Sequence, residues 1–241
     1  MFVQNRLGMI EGTETMLAHE RRMDQIANNL ANVDTAGYKK EDITFWEMMF
    51  TAADHRPRVG KALNIVTDQQ QGATKQTDNP LDFAINGDGF FKIQTPAGVR
   101  YTRNGNFTLN SQGQLSTFEG NLVLGDGGPI TLTDQNVRVG RDGQITANGA
   151  PIDRLGLVTF SDLKALEKEG ANLFRPKGGA QEQPIETANI QQGSLEGANV
   201  NIVAAMTEMI DLQRAYQSQQ KAIQTTDDID QQSTSRVGKL T

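Results

Sequence analysis

Apolar and polar positions recur along this chain with two different periods, and the period changes twice. Near the start, Met16, Met23, Ile26, Leu30 and Val33 stand among polar residues, with Ile10 and Leu17 nearby. The run Met23, Ile26, Leu30, Val33 is spaced 3-4-3, the seam of a coiled-coil helix. No proline interrupts it. Asp34-Thr35-Ala36-Gly37 then stops it, with Gly37 a candidate left-handed cap. From Asn201 to Ile229 there is again no glycine or proline. Ile202, Met206, Met209, Ile210, Tyr216 and Ile223 form one broad stripe there, and the helix is expected to fray past Asp230. Asn199 or Asn201 can cap its start, because an asparagine side chain accepts from an orphan N–H of the first turn.

Between these helices the period shortens. Short apolar or alternating runs occur at Phe83–Ile85, Phe90–Ile93, Val99–Tyr101, Phe107–Leu109, Leu122–Leu124, Ile130–Leu132, Val137–Val139 and Leu155–Val158. Turn pairs such as Asn86-Gly87, Asp88-Gly89, Asn104-Gly105, Asp126-Gly127, Asp142-Gly143 and Asn148-Gly149 punctuate them and supply the positive φ of tight hairpins. The spacing predicts antiparallel strands. One short helix is expected from Asp162 to Glu169, capped by Ser161 and ended by Gly170. Residues from Phe45 to Asn79 lack a pattern and read as extended. The fold class is α+β: N- and C-terminal amphipathic helices forming a coiled coil, with an inserted antiparallel β-rich domain. The expected divisions are a helix at 1–34, an extended segment at 35–79, the β domain at 80–198 and the second helix at 199–241. A single amphipathic helix cannot bury its stripe alone, so the two ends pair with each other or with other molecules.

Composition narrows the classes. The chain has 241 residues, a net charge of -6, and only 37% hydrophobic and 6% aromatic residues beside 24 glycines. That balance favours an elongated or turn-rich shape over one thick core. No basic patch with interleaved aromatics is available for phosphate backbones, so nucleic acid is not an expected partner. Cysteine is absent, which removes disulfides and thiolate metal sites. No apolar run approaches the roughly 20 residues that a membrane helix needs. Glu11, Glu14, Glu20 and Asp24 interrupt any signal-peptide core, so no cleaved signal and no membrane insertion are expected.

Candidate chemistry is sparse. His19 and His55 have no evident converging partners, and surface or interface roles are favoured. Asn86-Gly87-Asp88-Gly89 lacks the ligand alternation of a calcium loop. Gly125-Asp126-Gly127-Gly128 lacks the Lys-Ser/Thr of a phosphate loop and leads into a strand. No Gly-x-Ser-x-Gly elbow occurs. A cell-wall-acting enzyme would need paired carboxylates, and Asp82, Asp88 and Asp126 all stand in turn contexts. No cofactor or metal is expected, and an enzyme is the weaker reading. Asn28, Asn29 and Asn32 either cap a helix end or fix register between packed helices.

Four blocks carry a family resemblance. Ala27-Asn28-Asn29-Leu30-Ala31-Asn32-Val33-Asp34-Thr35-Ala36-Gly37-Tyr38-Lys39 resembles the N-terminal signature of flagellar rod and hook proteins. Pro80-Leu81-Asp82-Phe83-Ala84-Ile85-Asn86-Gly87-Asp88-Gly89-Phe90-Phe91 resembles the opening of their β domain, which Tyr101-Thr102-Arg103-Asn104-Gly105-Asn106-Phe107 continues. Leu195-Glu196-Gly197-Ala198-Asn199-Val200 and Met209-Ile210-Asp211-Leu212-Gln213-Arg214-Ala215-Tyr216 resemble the C-terminal signature. The signature positions singled out are Asn28, Asn29, Asn32, Gly37, Asp82, Gly87, Gly89, Asn199 and Arg214. The short segment between Tyr38 and Pro80 is most like proximal rod members, with distal rod or hook members next. The resemblance implies a structural subunit that polymerises helically in the periplasm to transmit torque. It implies export by the flagellar type III apparatus and contact with like copies and neighbouring rod proteins. Met23, Ile26, Leu30, Val33, Ile202, Met206, Met209, Ile210, Tyr216 and Ile223 are then the expected assembly interface.

Overall fold

A computed structural model describes residues 2–51, 57–132, 137–170, 172–178, 180–185 and 189–237. They divide into two compact units. One comprises Met1–Ala31, Glu41–Val66 and Asn201–Thr241; the other comprises Asn32–Lys40 and Thr67–Val200.

The first unit holds both long helices, α1 (Phe2–Ala31) and α2 (Ile202–Val237). They pack antiparallel: Arg22 of α1 pairs with Glu208 of α2 at 2.5 Å, while Gly12, ten residues earlier, lies beside Gln219 and Ile223. Gly12 is buried, and a Cβ there would come within 2.8 Å of Gln219 Nε2. A glycine costs about 1 kcal/mol inside a helix, and here it permits close approach. Asn201 caps α2, accepting from Ala204 N at 3.0 Å. The expected fraying near Asp230 does not appear; α2 continues to Val237, and the next breaker in the chain is Gly238. The segment read as patternless holds two long strands, β1 (Glu41–Thr51) and β2 (Pro57–Thr67), which pair with each other. The Asn29 amide fixes the start of β1, donating to Glu41 O at 2.8 Å and accepting from Glu41 N at 3.0 Å.

The second unit is built of short antiparallel strands. Its centre is the strand Phe90–Thr95, which pairs with Gly98–Thr102, Leu122–Gly125 and Leu157–Phe160. Alternation along that strand feeds two cores. Phe91 and Ile93 enter a cluster with Phe83, Phe107, Val123 and Ile130, whereas Phe90 enters another with Tyr101, Phe160 and Phe174. Rings meet edge-on in both, Phe91 with Phe107 at 5.3 Å and Phe90 with Phe174 at 5.5 Å. Asn148 and Gly149 both have positive φ and join Gln144–Ala147 to Ala150–Arg154 in a two-residue hairpin. Asp126-Gly127 closes a second one, with Gly125 opposite Gly128. Gly87, Gly89 and Gly143 also have the expected positive φ, but Gly105 and Gly127 do not, and Asn86-Gly87 and Asp88-Gly89 link strands that do not pair with each other.

Three local expectations need correction. The helix expected over Asp162–Glu169 is a single 3-10 turn, Leu163–Ala165, followed by the strand Leu166–Lys168. Its cap is Asp162, not Ser161. So short a helix is marginal, whereas Leu166 is buried beside Tyr101 and Phe174 when its segment pairs with Leu173–Pro176. The strand expected at Ile130–Leu132 lies at Gly128–Pro129, with one isolated bridge at Thr131. Gly37 is left-handed (φ 68), but it stands six residues beyond the end of α1 and is not its cap. It is required because a Cβ would overlap the backbone of Arg103 and Asn104.

Gly105 offers a clean test of packing. A Cβ there would overlap the Phe83 carbonyl, whereas one on Gly120 would meet nothing within 4 Å. Gly105→Ala should lower stability by about 1–3 kcal/mol or more through overpacking. Gly120→Ala should show only the backbone strain of its positive φ, roughly 1–2 kcal/mol. Urea midpoints of the purified chain would measure both. A Gly105→Ala midpoint equal to the parent's would contradict the packing.

Candidate assembly surfaces and a buried ion cluster

The second unit contains a charged cluster sealed from solvent. The side chains of Lys39 and Glu196 are 0% exposed and that of Arg103 is 4% exposed. Glu196 Oε1 accepts from Lys39 Nζ at 2.6 Å and from Gly72 N at 3.1 Å. Glu196 Oε2 faces Arg103 NH1 at 3.4 Å. The Glu196 carbonyl accepts from Gly37 N at 2.8 Å. Lys39 also donates to Gln70 O at 2.6 Å, and Arg103 donates to Gly87 O at 2.8 Å while lying over the Phe90 ring.

Burial pushes the Lys39 ammonium and the Arg103 guanidinium below their ordinary values, and the attraction of Glu196 offsets only part of that. Glu196 is the carboxylate that both cations share, with Asp68 attracting Lys39 and Asp88 attracting Arg103 more weakly. Geometry of this quality is what a buried pair needs to survive desolvation. The carboxylate is saturated by partners and inaccessible, so it cannot trade protons with a substrate arriving from solvent.

Asn199 forms a second tie alongside. Its Oδ1 accepts from Lys40 N at 2.7 Å, and its Nδ2 donates to Asp68 O at 2.9 Å and Gln70 O at 3.1 Å. Lys168 Nζ reaches Lys39 O at 3.1 Å and stacks over the Tyr38 ring, and Asn172 donates to Ala36 O at 3.2 Å. Residues 36–40, 68–72 and 196–199 are therefore stitched together.

The other singled-out positions fall in several places. Asp82 is buried and accepts from Asn79 at 3.0 Å; Asp88 and Asp126 are exposed. Gly87 and Gly89 have positive φ, and a Cβ on Gly89 would press on Ile185 at 2.5 Å. Asn28 is exposed, and Asn32 Oδ1 accepts from Thr35 Oγ1 at 3.3 Å. Asn29 uses both ends of its amide on the backbone of Glu41. Arg214 is exposed. His19 is half-buried on α1, and His55 lies outside the described residues. Among the described residues no group of three or more His, Cys, Asp or Glu could hold a metal, and no helix is long and apolar enough to cross a membrane.

The ten apolar positions expected at an interface separate into two sets. On α1, Met23, Ile26 and Leu30 share a line with Gly12, Met16 and His19 that faces α2, and Ile26 is buried. Val33 is half-buried beyond the helix. On α2, Met209, Tyr216 and Ile223 lie with Leu212 and Gln219 at 3-4 spacing and face α1. Leu212, at 8% exposed, is the buried anchor of that line and was missed by the sequence reading. Ile202, Met206 and Ile210 point elsewhere and remain 44%, 50% and 50% exposed.

Lys39, Arg103 and Glu196 each stand inside one of the family-like blocks, where the sequence alone does not mark them as a cluster. A charge set among glycines and asparagines in each of three separate blocks was the available signal. Glu196→Gln should cost about 3–5 kcal/mol, the usual loss when buried charge is left unpaired. Removing the charge from all three, as in Lys39→Met with Arg103→Met and Glu196→Met, should cost less than the single change. Denaturant melts of the parent, the single variant and the triple variant would check this. A Glu196→Gln chain as stable as the parent would dispose of the cluster as a stabilising tie.

Comparison with known proteins agrees with this geometry. Residues 12–39 match the family described as flagella basal body rod protein. Residues 84–147 match the flagellar hook protein FlgE/F/G D1 domain, and residues 191–236 the flagellar basal body rod FlgEFG protein C-terminal family. The flagellar basal-body rod protein FlgF of Caulobacter vibrioides is 37% identical over 237 residues, covering 95% of this chain and 97% of that protein. The flagellar basal-body rod protein FlgG of Bacillus subtilis is 36% identical over 251 residues, covering 92% and 95% respectively. The flagellar hook-basal body complex protein FlhO of Bacillus subtilis is 29% identical over 267 residues. With relatives this similar along nearly its whole length, the chain belongs to the flagellar basal-body rod protein family.

Proposed function

We propose that this chain is a structural subunit of the flagellar rod that polymerises helically, with the α1–α2 pair supplying a coiled-coil inner layer. One observation carries the reading. After α1 and α2 have covered one another, Ile10 and Leu17 on α1 stay 56% and 53% exposed, and Val203, Met206 and Ile210 on α2 stay 50–74% exposed. Apolar lines of this length on paired helices call for further helices from other molecules. Each such residue contributes roughly 1.5–3 kcal/mol when buried, which repeats at every lattice contact.

Work in this protein is mechanical on this reading. Load passes through many parallel interfaces, and the buried cluster keeps the passages of the second unit from separating under it. The reading includes contact with like copies and with neighbouring rod proteins, export by the flagellar apparatus and final location in the periplasmic basal body. The short segment between Tyr38 and Pro80 and the 37% identity to a FlgF support a proximal position in the rod.

Ile210→Asp tests the role of the exposed line. The side chain is half exposed in the subunit, so the monomer should melt normally. In an assembled contact the carboxylate would be desolvated and unpaired, which blocks growth. Motility of a null strain carrying Ile210→Asp should be lost, while Gln220→Asp, on a flank of the same helix, should leave it intact. Full motility with Ile210→Asp would remove α2 from the interface; a collapsed melt would place Ile210 in the core of the single subunit.

A further inference from the structure

The aromatic core around Phe90 and Phe160 is flanked by a short segment that is held by few bonds. Its strand, Glu182–Pro184, pairs with Leu157–Phe160 and with no other strand among the described residues. Only three residue pairs make that ladder, and one of them involves Pro184, which has no N–H to donate. Ala180 packs against the cluster of Phe90, Tyr101, Phe160 and Phe174, and Ile185 against the cluster that holds Phe91 and Ile93. Between these two apolar ends stands one polar hold. Glu182 Oε1 accepts from Lys92 Nζ at 2.6 Å, and Glu182 Oε2 accepts from the Tyr101 hydroxyl at 2.7 Å. We infer that Glu182 is the catch of an acid-released strap: when it takes a proton, residues 180–185 come away from the second unit while the sheet beneath them stays folded.

Lys92 and Tyr101 stand opposite each other on adjacent strands, and the Tyr101 ring meets Phe160 edge-on at 4.8 Å. One side chain thus belongs both to the core and to the catch. Solvent reaches the carboxylate, since 36% of the Glu182 side chain is exposed against 0% for Glu196. Glu182 can therefore be protonated without the unit opening. Burial works to raise its pKa, but the hydrogen bonds from Lys92 and Tyr101 and the charge of Lys92 outweigh it and hold the carboxyl below the ordinary 4.5. A carboxylate held low stabilises the closed strap fully above its unfolded value, and that contribution is lost as pH falls through the folded one. Tyr101 is shifted upward, first by burial and then by Glu182, so its hydroxyl stays a donor throughout that range. Other charges near this face are engaged elsewhere. Arg100 pairs with Glu169, Glu167 with Arg175, and Lys168 lies over the Tyr38 ring. The strand Leu157–Phe160 carries no ionisable side chain. Protonation leaves Lys92 without its counter-ion and weakens a charge-assisted bond. Short edge strands lie at the low end of local stability, so the loss of one such bond decides whether the strap stays closed.

Hydrogen exchange of the full chain, corrected for the intrinsic pH dependence of amide exchange, reads the strap directly. Between about pH 7 and about pH 3, a range that spans ordinary glutamate titration, protection of the amides along 182–185 should fall at least about tenfold, the effect of losing a hydrogen bond to a charged group. Ile93 and Val123 in the central sheet should keep their protection. Glu182→Gln should show the low protection already at pH 7 and little further change in acid. Lys92→Met should move the acid midpoint upward by roughly one pH unit, as removal of an adjacent opposite charge does. A merely structural lysine would leave that midpoint where it is. The inference is overturned if the parent keeps its 182–185 protection in acid, or if Glu182→Gln matches the parent at pH 7. It is equally overturned if the midpoint is unmoved by Lys92→Met, or if Ile93 and Val123 lose protection over the same pH range as the strap.

Discussion

Burying a carboxylate is costly, and burying two cations beside it is costlier still, unless every polar atom finds a partner. Glu196 finds partners for its own oxygens by drawing on segments far apart in sequence, while Arg103 Nε is left buried without one: Lys39 is 157 residues away, Gly72 124 and Arg103 93. Each partner would be a loop residue without it. The cluster converts three loops into one joint, and Asn199 repeats the device a turn of chain later by bonding Lys40, Asp68 and Gln70. The strands around Phe90–Thr95 have their own aromatic cores, but the segments that flank the helices in sequence have none. Their order rests on this joint together with the short ladder that pairs Ser194–Glu196 with Thr74–Gln76.

The helices pose the opposite problem. They carry little charge chemistry and more apolar surface than one partner can cover. Pairing within the subunit hides Ile26 and Leu212 and leaves Leu17 and Ile210 half exposed. A protein with a thick core would bury all four. This one, with its low apolar fraction, divides its hydrophobic residues between a finished β core and helices whose outward lines stay exposed in the single subunit.

Legibility in the sequence followed periodicity and turn chemistry. The stripe from Met23 to Leu30 and the Asn148-Gly149 hairpin were readable because each rests on local rules of spacing or positive φ. Leu166–Lys168 was misread because tertiary pairing overrode a weak local preference. The long strands Glu41–Thr51 and Pro57–Thr67 show no clean alternation and were read only as extended. The interface positions on α2 were read as one stripe, since Met209 and Ile210 are adjacent in sequence although they point to different sides. Glu196 was passed over because a single charge in a glycine-rich stretch looks like surface until its partners, from other blocks, are brought to it.

The central claim is that Glu196 and Asn199 make core structure out of loop residues. Native-state hydrogen exchange of the purified chain tests this most directly. The amides of Gly37, Gly72 and Lys40 donate to Glu196 O, Glu196 Oε1 and Asn199 Oδ1. They should exchange only when the whole second unit opens, with the same denaturant dependence as the amides of Ile93 and Val123 in its central sheet. Exchange of those three amides at rates typical of surface loops, while Ile93 and Val123 stay protected, would contradict the account.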